Sequence, residues 1–267
     1  MDKMRLLWYN YGVAMLFSDM LFVIHGQPGG HFSIQSLGLL GNDPSQDSMF
    51  TLAVVMGILG GFTYLIAFVV MQRSIVTCGP GIGTIFAKLG IMSTAVITSP
   101  LWNEKLNTPN IIGIVLTAIA LFLFHKGDVV FNNILLVCFA LSGMNEILKK
   151  VYTFYGDMRY QYMYYAIVFT ICFLLSCCIV FFRKEKHVIK KDEALLGSVL
   201  GLVNMIASQT VLIGLSLMPT GVFFTCQAGA VICLTSIIGV LRYKEPLTKT
   251  KVVGLVITLC SLVLMNM

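Results

Sequence analysis

Lys88 is the most conspicuous chemical group in this sequence, because it lies about eight residues into an otherwise apolar run, PGIGTIFAKLGIMSTAVITSPL. An ammonium near the middle of a membrane costs about 2.5–3.5 kcal/mol on insertion scales, and such groups are kept where they bind or pair with something. Thr84 precedes Lys88 by four residues and so shares its helical face. The pair suits the carboxylate or phosphate of a small substrate; the structural alternative is an ion pair between Lys88 and Glu146 or Asp19. Asn204 and Ser208 are also four apart, with Gln209 beside them, and Tyr64, Thr225 and Gln227 complete the candidate substrate-binding groups. Each of these has the alternative role of bonding neighbouring helices, which contributes only about 0.6 kcal/mol on average. Glu146, in SGMNEILKK, reads as a helix-end charge beside Lys149 and Lys150, or else as a coupling site or ion-pair partner inside a cavity.

Other chemistries find no support. No two carboxylates are spaced for general acid and base work and no nucleophile has a partner base, so the expectation is a protein that is not an enzyme. His25 and His31 flank QPGG without further ligands, and seven of the eight cysteines lie inside apolar runs as small fillers, so neither a metal nor a cofactor is expected. The GPGIG run lacks the strand-to-helix context and lysine of a phosphate loop.

The elements that must position these groups follow from composition. Hydrophobic residues make up 57% of the 267 positions, charged residues only 11%, and the mean hydropathy is +0.88, against about 25% charged in an ordinary soluble domain. A water-facing surface cannot be built from this, so the chain is read as an all-α transmembrane protein in a lipid bilayer. Candidate spans are 4–24, 49–71, 80–101, 110–125, 131–149, 160–182, 194–217, 219–241 and 248–265. Residues 25–48 are too rich in Gly, Pro and polar groups to cross lipid alone. Gly57, Gly60 and Gly61 read as positions of close helix contact. Most Lys and Arg fall in loops on the side of the N-terminus, with Lys105, Lys149, Lys150 and Arg159 opposite. The basic excess therefore reads as a topology signal, with a cytoplasmic N-terminus in an inner or plasma membrane and no role in nucleic-acid binding.

The chain also echoes itself. LWNEKLNTPNIIGIVLTAIALFL, from Leu101, returns 141 positions later as RYKEPLTKTKVVGLVITLCSLVL, aligning Glu104 with Glu245, Gly113 with Gly254 and Thr117 with Thr258. The two glutamates read as structural corner residues near helix N-termini. A first repeat at 1–126 would hold four helices and a second at 131–267 five, the first lacking the opening helix. Five-helix repeats insert with opposite orientation, which predicts two inverted repeats about an axis in the membrane plane.

These stretches, together with SGMNEILKKVYTFYG and PTGVFFTCQAGAVICLTSIIGVLRYKEPL, resemble the drug/metabolite transporter superfamily, in particular its EamA-type ten-helix branch, from about residue 49 to the end. The resemblance implies a secondary transporter moving a small polar metabolite by alternating access. Lys88 makes that metabolite an organic anion or a zwitterion such as an amino acid. The departure from the family is the absent first helix. It motivates a second expectation: a non-transporting subunit or scaffold, with a homo-oligomer or a partner supplying that helix.

Overall fold

A computed structural model describes residues 3–26, 29–39, 45–78, 80–102, 107–123, 132–182, 191–243 and 249–265. Every regular element among them is helical, which is how an apolar chain satisfies its backbone N–H and C=O groups where no water reaches them. The α-helices are α1 (Lys3–His25), α2 (Gln46–Cys78), α3 (Pro80–Leu101), α4 (Thr108–Leu123), α5 (Asn133–Tyr155), α6 (Gln161–Phe181), α7 (Lys191–Leu217), α8 (Thr220–Tyr243) and α9 (Lys249–Met265). Short 3₁₀ turns occupy Ile34–Leu39 and Met158–Tyr160. Four stretches are long and apolar enough to cross a membrane: Met4–His25, Gln46–Cys78, Met158–Phe181 and Lys191–Leu217. Proline marks the starts of α3 and α4, where its missing N–H leaves no bond unmade.

Two helices extend beyond their sequence-based bounds. α2 begins at Gln46 and runs on to Cys78, so at 1.5 Å per residue it is about 50 Å long and outreaches a hydrocarbon layer of about 30 Å. α5 continues past Lys149 to Tyr155. The consecutive lysines that read as a helix exit are instead inside the helix and buried, Lys149 at 4% and Lys150 at 6% exposure.

The chain divides into two compact units, Met1–Ile66 with Leu148–Ser216, and Ala67–Ile147 with Leu217–Met267. Each draws helices from both halves of the sequence. In the first unit α1 packs against α6 and runs antiparallel to it: Trp8 Nε1 donates to Cys177 Sγ at 3.1 Å, while seventeen residues on His25 stacks on Tyr162 at 4.2 Å. α2 follows α6 in the same direction through its glycines, with Gly57 against Ile167 and Gly61 against Ile171; a Cβ on Gly61 would lie 2.6 Å from that of Ile171. α7 follows α1 in the same way, Gly197 against Tyr9 and Gly201 against Asn10 and Val13. Small residues let such helices approach closely, which is the main source of helix attraction where lipid removes the hydrophobic driving force.

In the second unit α3 packs on α8 and α4 on α9. Ile85, Met92, Ala120 and Ala228 form a core there, with Leu89, Ile114 and Ile257 against it. Between α4 and α9 the Thr117 and Ser261 hydroxyls are 2.6 Å apart, and Ser261 donates to the Gly113 carbonyl at 2.6 Å. Thr117 donates to the Gly113 carbonyl and Thr258 to that of Gly254, so aligned residues of the echo make the same local bond. α3 meets α5 where Gly90 abuts the Phe139 backbone and Thr94 donates to the Gly143 carbonyl at 3.3 Å.

Candidate functional site

Polar chemistry in the first unit converges on Tyr64 of α2. Its hydroxyl donates to Asn204 Oδ1 at 2.5 Å and lies 3.4 Å from Ser208 Oγ, both on α7. Asn204 Nδ2 donates in turn to Asn10 Oδ1 of α1 at 3.4 Å. The Tyr64 ring meets Tyr11 and Phe169 edge-on, at 6.2 and 6.0 Å between centroids, and the Lys149 ammonium of α5 sits 5.5 Å from its centre. Tyr165 donates to the Ser208 carbonyl at 2.5 Å and stacks on Phe169. A cation held against an aromatic face in a water-poor setting is attracted by the ring quadrupole, worth about 2 kcal/mol when desolvated. Gln209, beside Ser208, is 9% exposed, and neither its Oε1 nor its Nε2 has a hydrogen-bond partner among the described residues.

The structure therefore brings Tyr64 and Asn204 together and adds groups that sequence reasoning passed over: Asn10, Tyr11, Tyr165 and above all Lys149. One signal was available. Six of the ten tyrosines lie between residues 152 and 165, and Tyr152, Tyr160, Tyr164 and Tyr165 are buried inside the protein, although such residues are more usually interfacial anchors.

The remaining candidates are distributed elsewhere. Lys88 and Thr84 stand on α3 in the second unit, Lys88 half-buried and Thr84 exposed. On α8 of the same unit Thr225 is buried and Gln227 half-buried. Glu146, also in the second unit, is 6% exposed and accepts from Asn145 Nδ2 at 3.4 Å, so it is a buried group rather than a solvated helix end. Asp19, on α1 in the first unit, is half-buried, with no hydrogen-bond or ion-pair partner among the described residues. Glu104 and Glu245 lie outside the described residues.

The ends of the first unit carry further polar contacts. Arg5 Nε lies 3.1 Å from Glu193 Oε2 in the first turn of α7, where a carboxylate also suits the helix dipole. Elsewhere, residues 29–39 fold onto the start of α2: Tyr160 and Gln46 both donate to the Gly29 carbonyl, the His31 amide donates to Asp47, and that of Ser33 to Thr51. An open cleft of about 190 Å³ beside them is lined by Ser45, Gln46, Met49, Asp157, Arg159 and Tyr160. Burial alone would raise the Asp157 carboxyl, but hydrogen bonds from the Arg159 side chain and amide, and the guanidinium charge, hold it below the usual carboxylate value.

No protein-family model and no curated protein matches the sequence. Solved structures do match. One, described as "Crystal structure of protein", superposes with a TM-score of 0.70, covering 99% of this chain and 87% of its own at 11% identity. A likeness at that identity is a likeness of fold.

Proposed function

We propose that this chain is a secondary transporter of the drug/metabolite type, moving a small organic anion or zwitterion across an inner or plasma membrane by alternating access between two inverted repeats, with a cytoplasmic N-terminus. The observation that carries the reading is the pairing of helices with their own counterparts: α1 with α6, α3 with α8 and α4 with α9. The same logic extends to the neighbours, since α2 follows α6 as α7 follows α1, through Gly60 and its echo Gly201. Pseudo-symmetric packing of this kind suits a carrier, in which two equivalent arrangements open a substrate site to alternate sides. Lys88, with Thr84 one turn before it, Thr225 and Gln227 supply polar groups in the second unit, and Tyr64 and Asn204 do so in the first. Glu146 and Asp19 are the titratable groups available for proton coupling.

The test is flux. The purified chain reconstituted into liposomes is expected to exchange labelled amino acids or organic acids against an unlabelled internal pool, and Lys88→Ala to reduce anion exchange at least tenfold. Lack of exchange across a broad metabolite panel, with the protein folded and correctly inserted, would favour the scaffold reading.

A further inference from the structure

We infer that residues 29–39, between α1 and α2, form an interfacial anchor: the segment lies along the lipid headgroup layer, with the Phe32 and Ile34 side chains inserted at the edge of the hydrocarbon and Gln35 facing water. The inference needs the chain to span a membrane and is independent of what it carries.

α1 ends at His25, and Gly26 follows with a φ of 60°, the left-handed conformation that turns a chain out of a helix. Beyond this turn the segment is tied down. The Gly29 carbonyl accepts from Tyr160 and Gln46, the His31 amide donates to Asp47 at 2.8 Å, and the Ser33 amide donates to Thr51 at 3.0 Å. Gly30 abuts Phe50 so closely that a Cβ on it would lie 2.6 Å from that of Phe50. All of these partners except Tyr160 belong to the first two turns of α2.

Depth follows from α2. Its apolar run begins at Met49, with Gln46 and Asp47 before it and Gln72 and Arg73 after it. Residues 49–71 cover about 33 Å at 1.5 Å per residue, close to a hydrocarbon thickness of about 30 Å. A segment held by Asp47, Phe50 and Thr51 is therefore level with one edge of that layer. Phe32 is 53% and Ile34 70% exposed there, whereas Ser33 between them is half-buried and Ser36 is buried. In water this apolar pair would be unfavourably hydrated; at this depth acyl chains cover it. The backbone can go no deeper, because a short 3₁₀ turn and its irregular flanks leave N–H and C=O groups that hydrocarbon cannot satisfy. Gln35 is also exposed, about 120° around the 3₁₀ turn from Ile34, on a side where its amide can meet water.

The test adds one tryptophan at a time to the full chain, with Trp8 and Trp102 kept: Phe32→Trp, Ile34→Trp and Gln35→Trp. Each variant is reconstituted in phosphatidylcholine liposomes whose acyl chains carry bromine either close to the headgroups or close to the bilayer centre, or in unbrominated liposomes with iodide on both sides. The fluorescence added over the parent chain is then read. At positions 32 and 34 it is expected to fall at least twofold with the shallow bromines, less with the deep ones, and to resist iodide; at position 35 iodide is expected to be the stronger quencher. Iodide quenching at 32 and 34 would put the pair in water, protection from both agents would put it against protein, a second copy included, and stronger quenching by the deep bromines would put it inside the hydrocarbon. Each of these results overturns the inference, as does a position 35 that behaves like position 34. Phe32→Trp and Ile34→Trp are read separately, so either one decides if the other fails to fold.

Discussion

Tyr64 is where a single atom has the widest reach, because its hydroxyl joins α2 to α7 while its ring faces α1, α5 and α6. Tyr64→Phe keeps the ring and removes the hydroxyl from Asn204 and Ser208, so a loss of about 1–2 kcal/mol is expected, read as a lower Tm in detergent; an unchanged Tm would mean that Asn204 finds another donor. Asp157 allows a pH test. It caps the 3₁₀ turn before α6 by accepting from the Arg159 amide, a contact worth about 1 kcal/mol. Its folded pKa is depressed below 3.8, so this stability is present above the unfolded value and is lost as pH falls through the folded one. Asp157→Asn should therefore lower Tm near neutral pH, with the gap to the parent chain narrowing once pH falls below the unfolded carboxyl value of about 3.9 and closing as the folded carboxylate is protonated. At this scale the sequence was partly legible. Tyr64 and Asn204 stood out as polar groups in apolar runs, but Lys149 did not, because two adjacent lysines usually mark water and only the tertiary packing around α5 buries them.

Helix contacts were legible where glycine was the cue. Gly57, Gly60 and Gly61 read as close-contact positions, and all three abut α6. Gly90 and Gly143 gave no such cue, since what makes them necessary is the crossing of α3 and α5, a pairing that no local pattern encodes. A side chain on Gly90 would run into the Phe139 backbone, which cannot yield as a flexible side chain can. Gly90→Val is expected to cost more than about 3 kcal/mol, in the range of severe overpacking. Its counterpart in the echo is Val231, which is 41% exposed, and Leu234 and Ile237 beyond it on α8 are exposed too. Val231→Phe should change Tm by the equivalent of less than about 0.5 kcal/mol. Comparing the two Tm shifts checks whether α3 and α8, aligned in sequence, differ in what covers them; equal shifts would contradict the difference.

For the molecule as a whole, apolar runs of the right length foretold the helices, and an echo of 141 residues is the ground for matching one helix with another. The boundary between the halves of the sequence is not the boundary between the units, however. The two compact units each take helices from both halves, because contact depends on side-chain fit between distant segments and leaves no periodic trace. The central claim is that the two repeats are inverted, and it makes a demand on Thr108 and Lys249, aligned in the echo and exposed at the starts of α4 and α9. In a chain whose eight cysteines have been replaced, Thr108→Cys and Lys249→Cys would be labelled separately with a membrane-impermeant maleimide. The account predicts that Thr108→Cys reacts in intact cells and Lys249→Cys only after permeabilisation; labelling of both from the same side would contradict it.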